Sequence, residues 1–217
     1  MSLTIARSPD PPTPTTPANL IVLPNLRWET YQAIAKDCEP HPNTRLTYDC
    51  GQLEIRMPSD FHEFYKKLLG RIVETLTEAL GLDILSLGSM TCDRQDLAKG
   101  IEPDQCYYIQ NEATVWDKDR INLQTDPPPD LAIEIDITSS SLNRFSIYAS
   151  LSIPEIWHYN GKIVTLYGLD NHQYQPLDRG LAFPRLTTTE LQHFLDLRRS
   201  IKENALIRQV RNWAVTP

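Results

Sequence analysis

Three acidic side chains, Asp130, Glu134 and Asp136, share one face of a β-strand predicted over residues 130–137. Strict alternation of apolar and polar residues indicates the strand. Its other face carries Leu131, Ile133, Ile135 and Ile137. Strand residues two apart are separated by about 7 Å, and residues four apart by about 13 Å. Glu134 and Asp136 could therefore crowd one ion-sized space, with Asp130 at the start of the strand.

Carboxylates gathered in this way repel one another unless a cation or several hydrogen-bond donors lie between them. Hard oxygen ligands favour Mg²⁺ or Mn²⁺. Asp104 has a similar setting, because a Pro-Asp pair opens a predicted strand in both GIEPDQCYYI and PPPDLAIEID. The pattern predicts a divalent-metal site formed by residues 130–136 with Asp104. The alternative is a surface strand whose acidic side chains lie in water.

The composition excludes several classes of protein. The chain has 217 residues, of which 41% are hydrophobic and 23% charged, as expected of a soluble domain with its own core. Its net charge of −7 argues against a broad basic surface that coats nucleic acid, although an enzyme with a local basic groove remains possible. The four cysteines have no zinc-finger spacing, so we expect reduced thiols and no zinc site.

No stretch contains the roughly 20 consecutive apolar residues that a membrane span requires. Residues 1–19 also lack the apolar segment of a secretory signal. We therefore expect no association with membranes and a cytoplasmic location.

Hydrophobic periodicity predicts an α/β order of elements. Residues 1–24, rich in proline and threonine, are predicted to form a disordered arm, and residues 25–217 a single domain. The predicted helices cover residues 25–38, 59–80 and 142–151, with a C-terminal helix after the capping box that begins at Thr187. The predicted strands are a hairpin over 45–57 and strands over 83–87, 102–109, 130–137, 155–159, 162–169 and 173–177. This order describes a central mixed sheet with helices on both faces.

Two stretches of the chain carry a resemblance to a known family. EPDQCYYI and PPPDLAIEIDITSSSLNRFSIYASLSIPEIWHY closely resemble the Uma-two family of the PD-(D/E)XK restriction-endonuclease-like superfamily. The resemblance extends from about Leu26 to Pro184 and is most specific between Ile101 and Tyr159. It implies a three-layer α/β/α core with a central mixed sheet, an N-terminal helix-hairpin extension and a C-terminal helix. A metal ion would lie at one end of the sheet.

The resemblance also implies the ligands of that metal. Asp104 would be the aspartate of the Pro-Asp motif, and Glu134 would be the central acid of the Glu-x-Lys motif. The backbone carbonyl of Ile135 would complete the site. The implied chemistry is Mg²⁺-dependent hydrolysis of a phosphodiester, in which the cation polarises the phosphate and lowers the pKa of the attacking water.

The chain departs from the superfamily pattern at the lysine. Asp136 occupies the usual lysine position, two residues after Glu134. In many members of the family the lysine lies in the following helix, four residues before a tyrosine. Counted back from Tyr148, that position is Arg144. Arginine keeps the positive charge but cannot act as a general base. Arg144 could hold the scissile phosphate or mark weakened activity.

His62 and Glu63 open the long predicted helix, and family members often have a histidine there. The first turn of a helix can help to bind phosphate or metal. The alternative is a capping pair in solvent. His62, Glu63, Asp130 and Asp136 are therefore predicted as accessory residues of the site, beside the catalytic candidates Asp104, Glu134 and Arg144.

The first hypothesis is an endonuclease that depends on Mg²⁺ or Mn²⁺ and cleaves nucleic acid, with DNA as the expected substrate. The second is a catalytically weak or silent descendant that binds nucleic acid or a protein partner. The third is a mainly structural homodimer. A homodimer is also expected under the first hypothesis, because many nucleases of this superfamily are dimers.

Overall fold

Two β-sheets form the framework of the chain in the computed structural model, which describes residues 20–38, 44–136 and 142–216. The strands of the first sheet are β1 (Leu20–Leu23), β2 (Arg45–Asp49), β3 (Gln52–Arg56), β5 (Cys92–Arg94) and β6 (Lys99–Ile101). They lie in the order β1-β3-β2-β6-β5, and every neighbouring pair is antiparallel. A short 3₁₀ turn, Gln95–Leu97, joins β5 to β6.

The second sheet is mixed. Its strands are β4 (Leu85–Gly88), β7 (Gln105–Tyr108), β8 (Leu131–Ile135), β9 (Glu155–Tyr159), β10 (Val164–Asp170) and β11 (Gln173–Leu177). They lie in the order β11-β10-β9-β8-β7-β4, with β8 and β9 parallel and the other neighbours antiparallel. The acidic strand β8 therefore lies in the interior of this sheet, with β7 on one side and β9 on the other.

Helices cover both faces of the second sheet, as predicted. Their bounds are α1 (Trp28–Cys38), α2 (Asp60–Leu80), α3 (Glu112–Val115), α4 (Arg144–Ser150), α5 (Thr188–Leu197) and α6 (Glu203–Val215). Helix α2 packs on β8, α6 packs on α2, and α5 packs on β10. Helix α4 packs against β6 and β11, so α4 and the first sheet form the layer on the opposite face. Among the described residues, no helix is both long and apolar enough to span a membrane.

The alternation predicted for β8 is confirmed by the core. Leu131, Ile133 and Ile135 are fully buried in the cluster that contains α2. Ala132 lies in the cluster on the opposite face, which includes residues of α4 and the first sheet. Glu134 has the same parity as Ala132 and therefore points toward that second layer. The predicted strand end at residue 137 lies outside the described residues.

The ends of α2 follow from local sequence. Ser59 is the N-cap, and its hydroxyl oxygen accepts the backbone N–H of His62. Gly81 ends the helix in the left-handed conformation, with φ of 66°, where an L side chain would be strained. The predicted capping box is also present, because Thr187 and Glu190 exchange side-chain to backbone hydrogen bonds at the start of α5.

Several elements differ from the prediction. Residues 20–23, placed in the predicted arm of residues 1–24, form strand β1 and pair with β3. The rest of that arm, residues 1–19, lies outside the described residues. The predicted hairpin extension is part of a five-stranded sheet, because β5 and β6 add to it. The predicted strand over 102–109 begins at Gln105, and its preceding residues belong to the connection from β6. Three-residue strands such as β5 and β6 are too short for periodicity to reveal.

One face of the β2–β3 hairpin is polar and yet buried in the layer beside β8. Its two-residue turn has positive φ at Cys50 (46°) and Gly51 (99°), which a type I′ turn requires. The register places Arg45 opposite Arg56 and Thr47 opposite Glu54. All four side chains are buried, whereas the opposite, apolar face of the hairpin packs on α1.

Candidate active site

Asp104 is fixed between the two sheets by three hydrogen bonds. Its backbone N–H donates to the carbonyl of Ile133 at 3.1 Å. Its Oδ2 atom accepts the N–H of Ile135 at 2.7 Å and lies 2.9 Å from Nε2 of His62. Because Asp104 contributes an ionised oxygen, Nε2 of His62 is the donor. The Oδ1 atom is buried and has no hydrogen-bond partner.

Glu134 is held by helix α4. Its Oε1 atom accepts hydrogen bonds from Nη2 of Arg144, at 2.8 Å, and from the hydroxyl of Tyr148. Asn143 caps the start of α4 by accepting the N–H of Ser146, and this cap sets the position of Arg144 in the first turn. The Oε2 atom of Glu134 is buried and has no hydrogen-bond partner.

Two arginines of the hairpin complete the group. Nη2 of Arg56 lies 3.6 Å from Oδ1 of Asp104 and 3.8 Å from Oε2 of Glu134. Nε of Arg45 lies 3.9 Å from Oδ1 of Asp104. The exposed fractions of Arg45 and Arg56 are only 3% and 5%, so these charges are screened little by water. The site thus combines carboxylates of the second sheet with cations of the first sheet and α4.

The two carboxyl groups have pKa values shifted in opposite directions. Burial raises the pKa of Glu134 to about 8, because its contacts with Arg144 and Arg56 do not offset the loss of hydration and the charge of Asp104. Burial would also raise the pKa of Asp104, but the hydrogen bond with His62 and the charge of Arg56 hold it well below its usual value. At neutral pH, Asp104 is therefore ionised, and Glu134 holds a proton more readily than an exposed glutamate does. Such a divergence is typical of carboxylate pairs with different roles.

The donor atoms fit a hard divalent cation. Oδ1 of Asp104 and Oε2 of Glu134, which have no hydrogen-bond partner, lie close together, since both are within 3.8 Å of the same nitrogen atom of Arg56. The carbonyl of Ile135 points to the same side of β8 as its N–H, which donates to Asp104. Mg²⁺ is usually bound through one or two carboxylates and keeps several waters. In the described part of the chain, no group of three or more His, Cys, Asp or Glu side chains is arranged to hold an ion. A site with two carboxylates and several waters does not require such a group.

Arg144, which the resemblance assigns to the lysine position of the family, contacts Glu134 from the first turn of α4. One of its nitrogen atoms, Nη2, binds Glu134 and lies 3.4 Å from the carbonyl of Glu102. The other two, Nε and Nη1, are buried without a hydrogen-bond partner. A buried donor without an acceptor is costly, so these two N–H groups are suited to an anionic oxygen that is not part of the chain.

Three of the four predicted accessory residues, His62, Glu63 and Asp136, lie near Asp104 and Glu134. His62 is buried beside Asp104, and Glu63 lies at the rim, where it contacts Lys66 and lies 3.9 Å from Arg45. Asp136 lies near the same end of β8, with Oδ2 3.9 Å from His158 and with Oδ1 buried and lacking a hydrogen-bond partner.

Asp130 lies apart from this group, although it was predicted to share a face with Glu134. Its Oδ2 atom accepts the N–H groups of Ile109 and Asn111, and its Oδ1 atom accepts the Asn111 side-chain amide. Asp130 therefore fixes the loop after β7 at the opposite end of β8. Asp130 precedes β8, and the length of the strand separates it from the site.

Sequence reasoning missed Arg45 and Arg56. Alternation within RLTYDCGQLEIRM does place both on the hairpin face opposite Leu46 and Leu53. That signal shows which residues share a face, but it does not show that the polar face is buried. The burial depends on the docking of one sheet against the other, which joins residues about 50 to 90 positions apart in the chain.

Comparison with known proteins assigns most of the chain to one family. A search of curated proteins finds no match. A family model described as "Uma2: Putative restriction endonuclease" matches residues 28–202, most of the chain. The matched region contains both sheets' site residues and helix α4. The chain therefore belongs to the Uma2 family of restriction-endonuclease-like proteins.

Proposed function

We propose that the protein is a Mg²⁺- or Mn²⁺-dependent endonuclease that hydrolyses phosphodiester bonds in DNA. One observation carries the proposal: two buried carboxylate oxygens, Oδ1 of Asp104 and Oε2 of Glu134, lie on either side of the same Arg56 nitrogen atom and have no hydrogen-bond partners. Oxygen atoms in that state are available to a cation. Family membership supports nuclease activity at a general level.

Asp104, Glu134 and the carbonyl of Ile135 would hold the cation. When bound, the ion would polarise the scissile phosphate and lower the pKa of the attacking water. A ligating carboxylate must be deprotonated, so binding would require Glu134 to release its proton. His62 keeps Asp104 oriented through Oδ2 and leaves Oδ1 free.

Arg144 would bind the phosphate rather than act as a base. Its guanidinium remains charged, and its buried Nε and Nη1 groups carry N–H donors that are available to phosphate oxygens. Its third nitrogen holds Glu134 at 2.8 Å, which links the phosphate position to the carboxylate. Charge that develops on the phosphate would be stabilised by these prearranged donors.

The test is cleavage of supercoiled plasmid DNA with Mg²⁺ or Mn²⁺. Wild-type protein is expected to nick the plasmid, and Glu134→Ala and Asp104→Asn are expected to lose this activity. Glu78→Gln, a change at an acid that is 70% exposed and paired with Arg211 on the surface, is the matched control and should cleave like wild type. If neither ion supports cleavage by wild-type protein and calorimetry detects no ion binding, the proposal is wrong.

Arg144 also favours a second candidate, a protein that binds nucleic acid without turnover. Arginine cannot take up a proton as a lysine base could. Wild-type binding to DNA without cleavage, unchanged in Glu134→Ala, would support this candidate over the first. The predicted homodimer and cytoplasmic location stay predictions.

A further inference from the structure

Arg56 lies where a cation between Asp104 and Glu134 would be expected. Its Nη2 atom is 3.6 Å from Oδ1 of Asp104 and 3.8 Å from Oε2 of Glu134. All three atoms are buried and have no hydrogen-bond partner. These separations are too long for hydrogen bonds but short enough for strong attraction between the guanidinium and an ionised carboxylate. One guanidinium thus faces the free oxygen of each acid.

The charge of Arg56 is permanent. A guanidinium is not deprotonated in proteins, so only movement of the side chain can remove the charge from the gap. Its backbone belongs to β3, where it pairs with both Leu20 and Arg45 on neighbouring strands. Its side chain is held beneath the surface, with an exposed fraction of 6%. Arg56 therefore supplies a fixed positive charge beside both acids in this structure.

The other arginines contact the acids differently. Arg144 binds Glu134 through Oε1, the oxygen that also accepts the hydroxyl of Tyr148. Arg45 approaches Asp104 through Nε at 3.9 Å. Arg56 contacts the free oxygens of both acids through a single nitrogen atom, as a bridging ion would.

We propose that Arg56 is a positioning residue that balances Asp104 and Glu134 in the metal-free protein and competes with the divalent cation for their free oxygen atoms. This inference rests on the metal-dependent function proposed above. An ion held by both oxygens would lie close to the guanidinium, and like charges a few ångströms apart repel strongly in a buried site. Removal of the positive charge should therefore tighten metal binding, although it removes a favourable partner of the acids.

The experiment is calorimetric titration of metal-free protein with Mn²⁺ alone. Arg56→Met and Arg56→Gln are expected to bind Mn²⁺ at least about tenfold more tightly than wild-type protein. Arg56→Lys keeps the charge and should stay within about threefold of wild type. Arg45→Met is the matched control from the opposite position on the hairpin, and its affinity should rise less than that of Arg56→Met. Asp104→Asn should abolish binding, which assigns the measured heat to this site.

If Arg56→Met does not fold without metal, thermal unfolding of Arg56→Gln with and without Mn²⁺ measures the same competition. The rise in Tm on addition of Mn²⁺ should be larger in Arg56→Gln than in wild type, because tighter binding to the folded state stabilises it more.

Two failures are distinguishable. Wild-type protein that binds Mn²⁺ with the same or higher affinity than the neutral Arg56 variants would overturn the competition and leave the proposed function standing. An equal rise in Mn²⁺ affinity in Arg45→Met and Arg56→Met would also overturn it, since the effect would then reflect the net charge of the site and not the position of Arg56. Absence of Mn²⁺ binding in wild type and in every Arg56 variant would overturn the proposed function together with this inference.

Discussion

Glu134 and Glu155 are buried glutamates on neighbouring parallel strands of the same sheet, yet their surroundings differ. Glu155 accepts hydrogen bonds from the Trp157 indole at 2.8 Å and from the N–H of Ala182 at 2.7 Å, one on each oxygen. Glu134 binds Arg144 and Tyr148 through one oxygen and leaves the other without a hydrogen bond. Glu155 is thus satisfied by neutral donors, whereas Glu134 faces charges.

Burial raises the pKa of both side chains, so a raised pKa does not by itself identify a functional acid. The distinguishing features of Glu134 are its free oxygen atom and its proximity to Arg56 and Asp104. A buried polar atom without a partner is rare in proteins and calls for an explanation such as a bound ion. The contrast separates an acid that supports the fold from one that is available for chemistry.

The largest expected difference between the two glutamates is in activity. Glu134→Gln should lower the rate of plasmid cleavage about 10³-fold or more, because it removes a ligand of the proposed cation. Glu155→Gln should leave the rate per folded molecule within about threefold, since its contacts are with the fold alone. The measurement is the initial rate of nicking, normalised to the folded fraction by circular dichroism. Equal losses in the two variants would remove the distinction.

The free energy of unfolding should fall more in Glu155→Gln than in Glu134→Gln. Glu155→Gln places an amide N–H₂ group toward the indole N–H or the Ala182 N–H, so one buried donor loses its acceptor. We expect a fall of about 2 kcal/mol in the free energy of unfolding. Glu134→Gln at pH 7 should cost nothing or stabilise the protein, because burial disfavours the ionised carboxylate and the neutral amide removes that penalty. Urea denaturation of the metal-free proteins measures both changes, and a larger loss in Glu134→Gln would contradict the assignment.

The pH dependence of stability should identify Glu134 directly. Its pKa is about 8 in the folded protein and near the ordinary value in the unfolded chain. The folded state therefore binds more protons in the interval between these values, and the free energy of unfolding falls as pH rises toward 8. The contribution of one such group is at most about 1.4 kcal/mol per pH unit.

Glu134→Gln should make the stability of the metal-free protein less dependent on pH between about 5 and 8. The exposed acid Glu78 provides the control variant, Glu78→Gln, which should leave the slope unchanged. Urea titrations at several pH values measure the slope. A slope unaffected by Glu134→Gln would show that this carboxyl group ionises normally in the folded protein.

Replacement of Arg144 should lower the cleavage rate less than replacement of Glu134. Arg144→Lys restores the residue type that the family pattern favours and keeps the positive charge, so the cleavage rate should stay within about tenfold of wild type. Arg144→Met removes the charge and should cost about 10²-fold. A pH–rate profile separates the variants further, because lysine can titrate and arginine cannot. If Arg144→Met cleaves as well as wild type, the arginine does not bind the phosphate.

The sequence predicted the acidic strand and its faces because periodicity depends only on neighbouring residues. It did not distinguish Glu134 from Asp130, which have the same parity, and the resemblance to a family made that choice. Whether an oxygen atom is free depends on distant partners, such as Asn111 for Asp130 and Tyr148 for Glu134. Arg45 and Arg56 were missed for the same reason, since their burial results from the packing of two sheets.

The placement of both hairpin arginines ahead of their acids along the chain has a consequence during synthesis. A ribosome adds about 5–20 residues per second, so Arg45 and Arg56 emerge several seconds before Glu134. Throughout that interval the hairpin can form its turn and cover its apolar face with α1, but its polar face lacks the acids of the second sheet and stays hydrated. The two sheets are therefore expected to pack against each other late in synthesis, after β8 has been translated.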